Sequence, residues 1–229
     1  MTDAPGPPRI VPFGDAAVLV TLDAADEHDE RHIRRVHRLA AAIRELADPH
    51  LGNPVPGATS VLLGYDPRAL DATEAAARVR AALDTAMADG DDRDRAAPGP
   101  LVELPTRYGG SDGPDLAEVA SAAGLSEQAV IELHASVDYV VAFLGFAPGF
   151  AYLSAVPAAI ATPRRATPRE RIPAGSVGIA DRRTAVYPGG TPGGWQLVGR
   201  TDVSVWDARR DTPALLAPGT RVRFVPVSR

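Results

Sequence analysis

Cysteine and lysine are both absent from this 229-residue chain, whose 24 basic residues are all arginine. Without cysteine, the chain can form no disulfide, no thiolate nucleophile and no cysteine-ligated metal site. Without lysine, it has no P-loop lysine, no Schiff-base lysine and no lysine that could carry biotin. Any chemistry of ATP or biotin would therefore need groups from another chain.

Long apolar runs and excess positive charge are missing as well. No segment approaches the ~18 consecutive apolar residues of a membrane-spanning helix. The N-terminal segment MTDAPGPPRI does not show the pattern of a secretion signal. A net charge of −5 argues against general nucleic-acid binding. We therefore expect a cytoplasmic globular protein that binds neither membranes nor nucleic acids.

The pattern of apolar residues changes near the middle of the chain. Residues 9–22 and 59–66 predict short strands, whereas 29–47 and the segment after Asp71 show the spacing of helices. Short apolar runs between glycine and proline clusters dominate the second half, which is typical of a β-barrel or sandwich. We predict an α+β protein with an N-terminal α/β domain (1–90), a charged and Ala/Pro-rich linker (91–100) and a β-rich domain (101–229).

Aromatic residues make up only 5% of the chain, yet three of its five phenylalanines, Phe143, Phe146 and Phe150, lie close together. Two of them fall in GFAPGFAYL (145–153), where glycine and proline disfavour helices and strands. We predict a loop whose rings form a binding surface, so that Phe146 and Phe150 do not both lie in the core. The candidate substrate-binding residues in this loop are Phe146, Pro148, Gly149 and Phe150.

His134 and Asp115 are the candidate catalytic residues. His134 falls in the last turn of a helix predicted over 127–135. It could be a structural or capping residue, or it could transfer protons in a cleft. Asp115 precedes another predicted helix, so it could cap that helix or present its carboxylate to the same cleft. His28 and His32 are one helical turn apart, but no third ligand is evident, and we predict no metal site.

Arginine and glycine are concentrated in two further segments. PRRATPRER (163–171) is either a charged surface loop or an anion clamp, because arginine forks bind carboxylate or phosphate. AGSVG (174–178) is not a nucleophile elbow, but its serine could hydrogen-bond an oxyanion. In PGGTPGGWQ (188–196), glycines would allow close approach of the backbone. The candidate substrate-binding residues here are Arg164, Arg169, Ser176, Gly193, Gly194, Trp195 and Gln196. We expect them to share one cleft with His134.

Four segments of the second half together carry a family resemblance. They are YGGSDGPDLAEVA (108–120), GFAPGFAYL (145–153), PRRATPRERIPAGSVGIA (163–180) and TPGGWQLVGRT (191–201). In this order they resemble the KipI family, also called allophanate hydrolase subunit 1, which includes the B subunit of 5-oxoprolinase. The first half is similar more weakly, through FGDAAVLV. The resemblance implies a small N-terminal α/β domain followed by a cyclophilin-like β-barrel.

The resemblance also implies an enzymatic function. The chain would belong to an ATP-dependent 5-oxoprolinase, which cleaves the lactam of 5-oxoproline to give glutamate. Its partners would be a KipA-like C subunit and a lactam-opening A subunit, with ATP acting in the complex and no metal or covalent cofactor on this chain. Two alternatives remain open. One is a KipI-type regulatory protein that binds and inhibits a sensor histidine kinase, and the other is a peptidyl-prolyl isomerase, suggested only by the barrel.

Overall fold

The chain divides into two compact units, Met1–Ala97 and Pro98–Arg229. The structure, a computed structural model, describes residues 7–88 and 99–228. The linker predicted at 91–100 lies almost wholly outside these ranges. None of the described helices is long and apolar enough to cross a membrane.

The first unit is a four-stranded antiparallel sheet with two helices. Its elements are β1 (Arg9–Pro12), β2 (Ala17–Thr21), α1 (Glu30–Glu45), β3 (Val55–Pro56), β4 (Ser60–Gly64) and α2 (Ala72–Ala88). The strands lie in the order β1-β2-β4-β3, so that β2 and β4 are central. Alternate residues of these central strands pack with the apolar face of α1, and the buried set includes Val18, Val20, Val36, Leu39, Val61 and Leu63.

Both helices of this unit begin with an acidic side chain that binds backbone N–H groups of the first turn. Asp29 accepts a hydrogen bond from the backbone N–H of Arg31 at 3.1 Å. Asp71 and Glu74 each accept a hydrogen bond from the other's backbone N–H, at 2.8 and 2.9 Å. These bonds satisfy N–H groups that have no partner inside the first helical turn.

The second unit is a closed seven-stranded barrel with two helices and a two-stranded ribbon. Its elements are β5 (Leu101–Tyr108), α3 (Leu116–Ala123), α4 (Glu127–Ala135), β6 (Tyr139–Leu144), β7 (Ala151–Ser154), a 3₁₀ turn (Ala158–Ile160), β8 (Arg169–Ile172), β9 (Ser176–Ala180), β10 (Arg183–Val186), β11 (Thr191–Gly193), β12 (Gln196–Arg200) and β13 (Arg221–Pro226). The barrel order is β10-β7-β6-β13-β5-β12-β9, and β8 pairs with β11. The predicted α+β fold with a β-barrel is therefore confirmed.

The barrel wall separates two apolar clusters because side chains alternate across each strand. Val177 and Ile179 of β9 belong to the interior cluster, together with Val198 of β12. Leu197 faces the other way and joins Phe150, Ile172, Ala180, Ala185, Tyr187 and Trp195 in a smaller outer cluster. This outer aromatic cluster positions the candidate site.

The segment GFAPGFAYL is only partly a loop. Its last three residues begin β7, which pairs with β6, so the prediction of an irregular segment throughout is wrong. Leu144 pairs with Ala151 in this ladder, so the loop between the two strands consists of residues 145–150. The backbone groups of Ala151–Leu153 thus find partners in the barrel, which overrides the local preference for a loop.

Candidate functional site

The outer aromatic cluster borders a cleft of about 320 Å³ in the barrel unit. This volume falls in the range of small-molecule sites. Segments that lie far apart in the sequence meet here. The cleft is lined by Phe146, Phe150, Tyr152, Arg164, Arg165, Pro168, Tyr187, Pro192, Gly193, Gly194 and Trp195.

Phe150 is the centre of the aromatic wall. Its side chain is only 1% exposed. Its ring lies edge-to-face against Phe146, Tyr187 and Trp195, with centroid distances of 5.3, 5.2 and 5.5 Å. Edge-to-face contacts place the positive edge of one ring against the negative face of another. The wall is therefore held by packing before any ligand arrives.

Phe146 occupies the rim of the cleft and is 60% exposed. Its backbone φ is +67°, a left-handed conformation that costs energy for a bulky residue. Hydrogen bonds from Gly145 N to Phe150 O (3.2 Å) and from Phe150 N to Ala147 O (3.0 Å) hold this turn. The exposure of Phe146 confirms the prediction that the two rings do not both lie in the core.

Two glycines are required by close packing around this wall. Gly149 has φ +80°, and a Cβ there would lie 2.6 Å from the Cβ of Trp206. A Cβ on Gly193 would lie 2.5 Å from the Tyr187 hydroxyl oxygen and 2.7 Å from Cδ1 of Ile172. Gly193 thereby allows Tyr187 to reach the floor of the cleft.

The polar groups of the cleft are cations and neutral hydroxyls. Arg164 and Arg165 line it together with Tyr152 and Tyr187. Burial raises the pKa of Tyr187 to about 12 and also raises the pKa of Tyr152, so both phenols keep their protons at neutral pH. The cleft thus combines ring faces with hydrogen-bond donors and positive charge, which suits a small, partly apolar anion.

Asp115 lies behind the cleft and does not line it. Its carboxylate is 3% exposed and accepts hydrogen bonds from Arg169 Nη1 and Nη2 at 2.9 and 2.7 Å. It also accepts from Arg165 Nη1 at 3.0 Å and from Leu197 N at 2.6 Å. Asp115 precedes α3 but makes no side-chain cap bond to that helix. Asp115 does occupy the predicted N-cap position of α3, but the predicted roles of its carboxylate in capping the helix and in facing the cleft are wrong, because the arginines and Leu197 bind both carboxylate oxygens.

His134 is fully buried and does not line the cleft, so its predicted position there is wrong. Its Nδ1 lies 2.8 Å from Tyr108 Oη, and its Nε2 lies 3.0 Å from Thr184 Oγ1. Since Thr184 donates its hydroxyl proton to the Gly178 carbonyl oxygen, Nε2 must donate and Nδ1 must accept from Tyr108. Burial lowers the pKa of His134 to about 3, in keeping with a neutral ring.

The structure brings together six of the predicted substrate-binding residues. These are Phe146, Phe150, Arg164, Gly193, Gly194 and Trp195. Five others do not line the cleft: Pro148, Gly149, Arg169, Ser176 and Gln196. Ser176 and Gln196 are buried in barrel strands, and both terminal nitrogens of Arg169 bind Asp115, so none of these three side chains reaches the cleft.

Sequence reasoning missed two notable residues of the cleft, Arg165 and Tyr187. Arg165 follows Arg164 directly, and the sequence offered no way to choose between them. Tyr187 follows the last residue of β10 and lies two positions after Ala185, an outward-facing residue. The period of two along that strand could have placed Tyr187 on the same outer face.

Comparison with known proteins identifies the family of this chain. The family model described as "Carboxyltransferase domain, subdomain C and D" matches residues 8–216. The chain belongs to this family. It is 47% identical over 218 residues to the B subunit of 5-oxoprolinase from Escherichia coli O157:H7, covering 93% of this chain and 94% of that protein. It is 38% identical over 226 residues to the protein of the same name from Bacillus subtilis strain 168, covering 96% and 93%. The predicted family resemblance is thus confirmed.

A solved structure shares the fold of this family member. The crystal structure of TTHA0988 superposes with a TM-score of 0.77 at 38% sequence identity. The match covers 93% of this chain and 40% of TTHA0988. The same fold therefore also occurs as part of a longer chain.

Proposed function

We propose that this chain is one component of an ATP-dependent 5-oxoprolinase and that the aromatic–arginine cleft binds the substrate. The single observation that carries the proposal is the meeting of aromatic rings with two arginine side chains in one small cleft. The names of the relatives that cover nearly the whole chain support the same activity.

The chemistry of 5-oxoproline fits this cleft. The molecule is a five-membered lactam ring with one carboxylate. Its ring would pack against Phe150 and Trp195, and its carboxylate would bind a guanidinium at the rim. The protonated hydroxyl of Tyr187 could donate a hydrogen bond to the lactam carbonyl oxygen, which becomes more negative as the amide is activated.

The cleft supports binding rather than the complete reaction. Among the described residues that line it there is no carboxylate, histidine or serine that could act as base or nucleophile. The absence of lysine leaves no P-loop lysine for ATP. In the described part of the chain no group of three or more His, Asp or Glu side chains could hold a metal ion. ATP, a KipA-like partner and a lactam-opening partner would therefore complete the site, so that activity requires the complex.

The test is ATP-dependent glutamate formation by the co-expressed complex. The double variant Phe146→Ala/Arg164→Ala removes two exposed side chains of the rim, and we expect the rate to fall about tenfold or more. The matched control Phe13→Ala/Arg209→Ala removes exposed side chains of the same types outside the cleft and should keep the wild-type rate. No ATP-dependent glutamate from the wild-type complex, or equal rates for the two double variants, would refute the proposal.

One observation favours a second candidate function. An exposed ring at a rim is also typical of a protein interface, and Phe146 is such a ring. A regulatory protein that binds a sensor histidine kinase would use it for that contact. In a pull-down, this candidate predicts that wild-type protein retains a histidine kinase and Phe146→Ala does not. Recovery of a KipA-like protein without any kinase would contradict it.

A further inference from the structure

We propose that Arg165 recognises the carboxylate of the ligand and that the buried Asp115 is its positioning residue. This inference rests on the proposed function for the identity of the ligand, but the recognition of a carboxylate can be tested separately. Neither role follows from the sequence, where Arg165 is one of several arginines in PRRATPRER and Asp115 lies 50 residues earlier.

The three arginines near the cleft differ in what they can offer a ligand. Arg169 does not line the cleft, and both of its terminal nitrogens donate to Asp115. Arg164 lines the cleft as an exposed side chain, so ordering it on binding would cost side-chain entropy. Arg165 lines the cleft and is already held, which makes it the pre-organised donor.

Arg165 is held through its backbone and through its terminal nitrogen Nη1. Its backbone N–H donates to the carbonyl oxygen of Gly194 at 2.7 Å, which ties it to the glycine segment of the cleft. Its Nη1 donates to Asp115 at 3.0 Å and also lies 3.6 Å from the exposed carboxylate of Glu118. Its Nε is buried without a hydrogen-bond partner among the described residues. Its Nη2 is not among the buried unpartnered atoms and makes no hydrogen bond to the described residues, so this nitrogen is the donor available to a carboxylate oxygen in the cleft.

Asp115 is built as a fixed anchor. Four hydrogen bonds from Arg165, Arg169 and Leu197 satisfy its two oxygens. The backbone N–H of Asp115 also donates to the carbonyl oxygen of Leu197 at 2.9 Å, which pins the residue to β12. Because Asp115 is fixed to the barrel wall, its hydrogen bond to Arg165 limits the movement of that guanidinium.

Positioning and simple electrostatics make opposite predictions for Asp115→Asn. The substitution removes a negative charge from beside the cleft, so electrostatics alone would tighten the binding of an anion. If Asp115 acts by holding Arg165, the same substitution weakens the preference for an anionic over a neutral ligand, because the guanidinium is no longer fixed in one orientation. The sign of the change therefore separates the two roles.

The experiment is calorimetric titration of the full chain with three probes: 5-oxoproline, its neutral carboxamide, and cyclopentanecarboxylate. We expect the wild type to prefer 5-oxoproline over the carboxamide by about tenfold or more, as for one charge-assisted hydrogen bond. Arg165→Gln should abolish this preference and Asp115→Asn should lower it. Arg165→Lys, which keeps the charge but not the planar fork, should regain part of it. The control Arg209→Gln disrupts another arginine–aspartate pair outside the cleft and should change nothing.

Each result decides a different point. A wild type without carboxylate preference, or an Arg165→Gln variant that keeps it, overturns the assignment of Arg165. Tighter anion binding by Asp115→Asn overturns the positioning role. Near-ultraviolet circular dichroism shows whether Asp115→Asn folds. If it does not, the Arg165 variants still decide whether that arginine binds the ligand carboxylate. Equal affinity for cyclopentanecarboxylate and 5-oxoproline would contradict the proposed lactam function while leaving the carboxylate assignment intact.

Discussion

Two regions of the barrel unit, the interior around His134 and the aromatic cleft on the outer face, differ in how their polar groups are hydrogen-bonded. Both ring nitrogens of His134 have partners inside the protein, Tyr108 and Thr184. Arg165, by contrast, is bound to Asp115 at one terminal nitrogen and lines an open cleft. A polar group whose bonds are all satisfied internally stabilises the fold, whereas one satisfied on a single side can bind a ligand. The distinction predicts which substitutions change stability and which change binding.

The largest expected effect is the loss of stability in His134→Ala. The substitution leaves Tyr108 Oη and Thr184 Oγ1 without their partner and removes a ring packed 4.6 Å from that of Phe224. We expect the free energy of unfolding in urea to fall by about 3 kcal/mol. Affinity for 5-oxoproline at a temperature where the variant is folded should not change. A His134→Ala variant that is as stable as the wild type but binds 5-oxoproline poorly would show that His134 serves binding and not stability.

The next effect is a loss of folding stability as the pH falls. The ordinary histidine pKa of 6.5 falls to about 3 for His134 in the folded state. As pH drops below 6.5, the unfolded chain binds a proton that the folded chain does not, so stability falls by about 1.4 kcal/mol per pH unit. His134→Gln should remove about 2 kcal/mol of the loss between pH 6.5 and pH 5. The exposed His50→Gln serves as control, and identical urea midpoints for the two variants across this range would contradict the prediction.

A smaller effect is expected inside the cleft itself, from Gly193→Ala. The added methyl would lie 2.5 Å from the Tyr187 hydroxyl oxygen, so the variant should lose about 1–3 kcal/mol of stability and shift that tyrosine. Gly194→Ala is the matched control, since its nearest neighbour would be 3.6 Å away. Thermal unfolding and ligand titration measure both consequences. Equal melting temperatures for the two variants would show that Tyr187 is not held as tightly as the packing indicates.

The smallest expected change in stability is that of Phe146→Ala. An exposed ring contributes little to the core, so the free energy of unfolding should change by less than about 0.5 kcal/mol. Ligand affinity should nevertheless fall several-fold, because the ring closes the rim of the cleft. Phe13→Ala, at a residue 54% exposed in the first unit, should change neither quantity. Equal ligand affinity for Phe146→Ala and wild type would remove this ring from the site.

Some features of the fold could be predicted because their causes are local. The bonds at Asp29 and Asp71 that start α1 and α2 depend on residues within three positions. The concentration of rings and glycines in GFAPGFAYL also indicated a binding surface, and Phe146 and Phe150 do line the cleft. The position of His134 was not predictable, because an apolar helix face can turn either to a barrel interior or to a cleft.

The sequence by itself determined the family, the α+β class, the capped helices and the exclusion of lysine and cysteine chemistry. Only the tertiary structure decided which arginines line the cleft, that Asp115 binds two arginines 50 and 54 positions away, and that His134 is buried in the barrel unit. The physical reason is that helix caps and apolar periods act over a few residues. Closure of the barrel pairs strands from across the unit, and strand alternation then assigns each side chain to the interior or to the cleft.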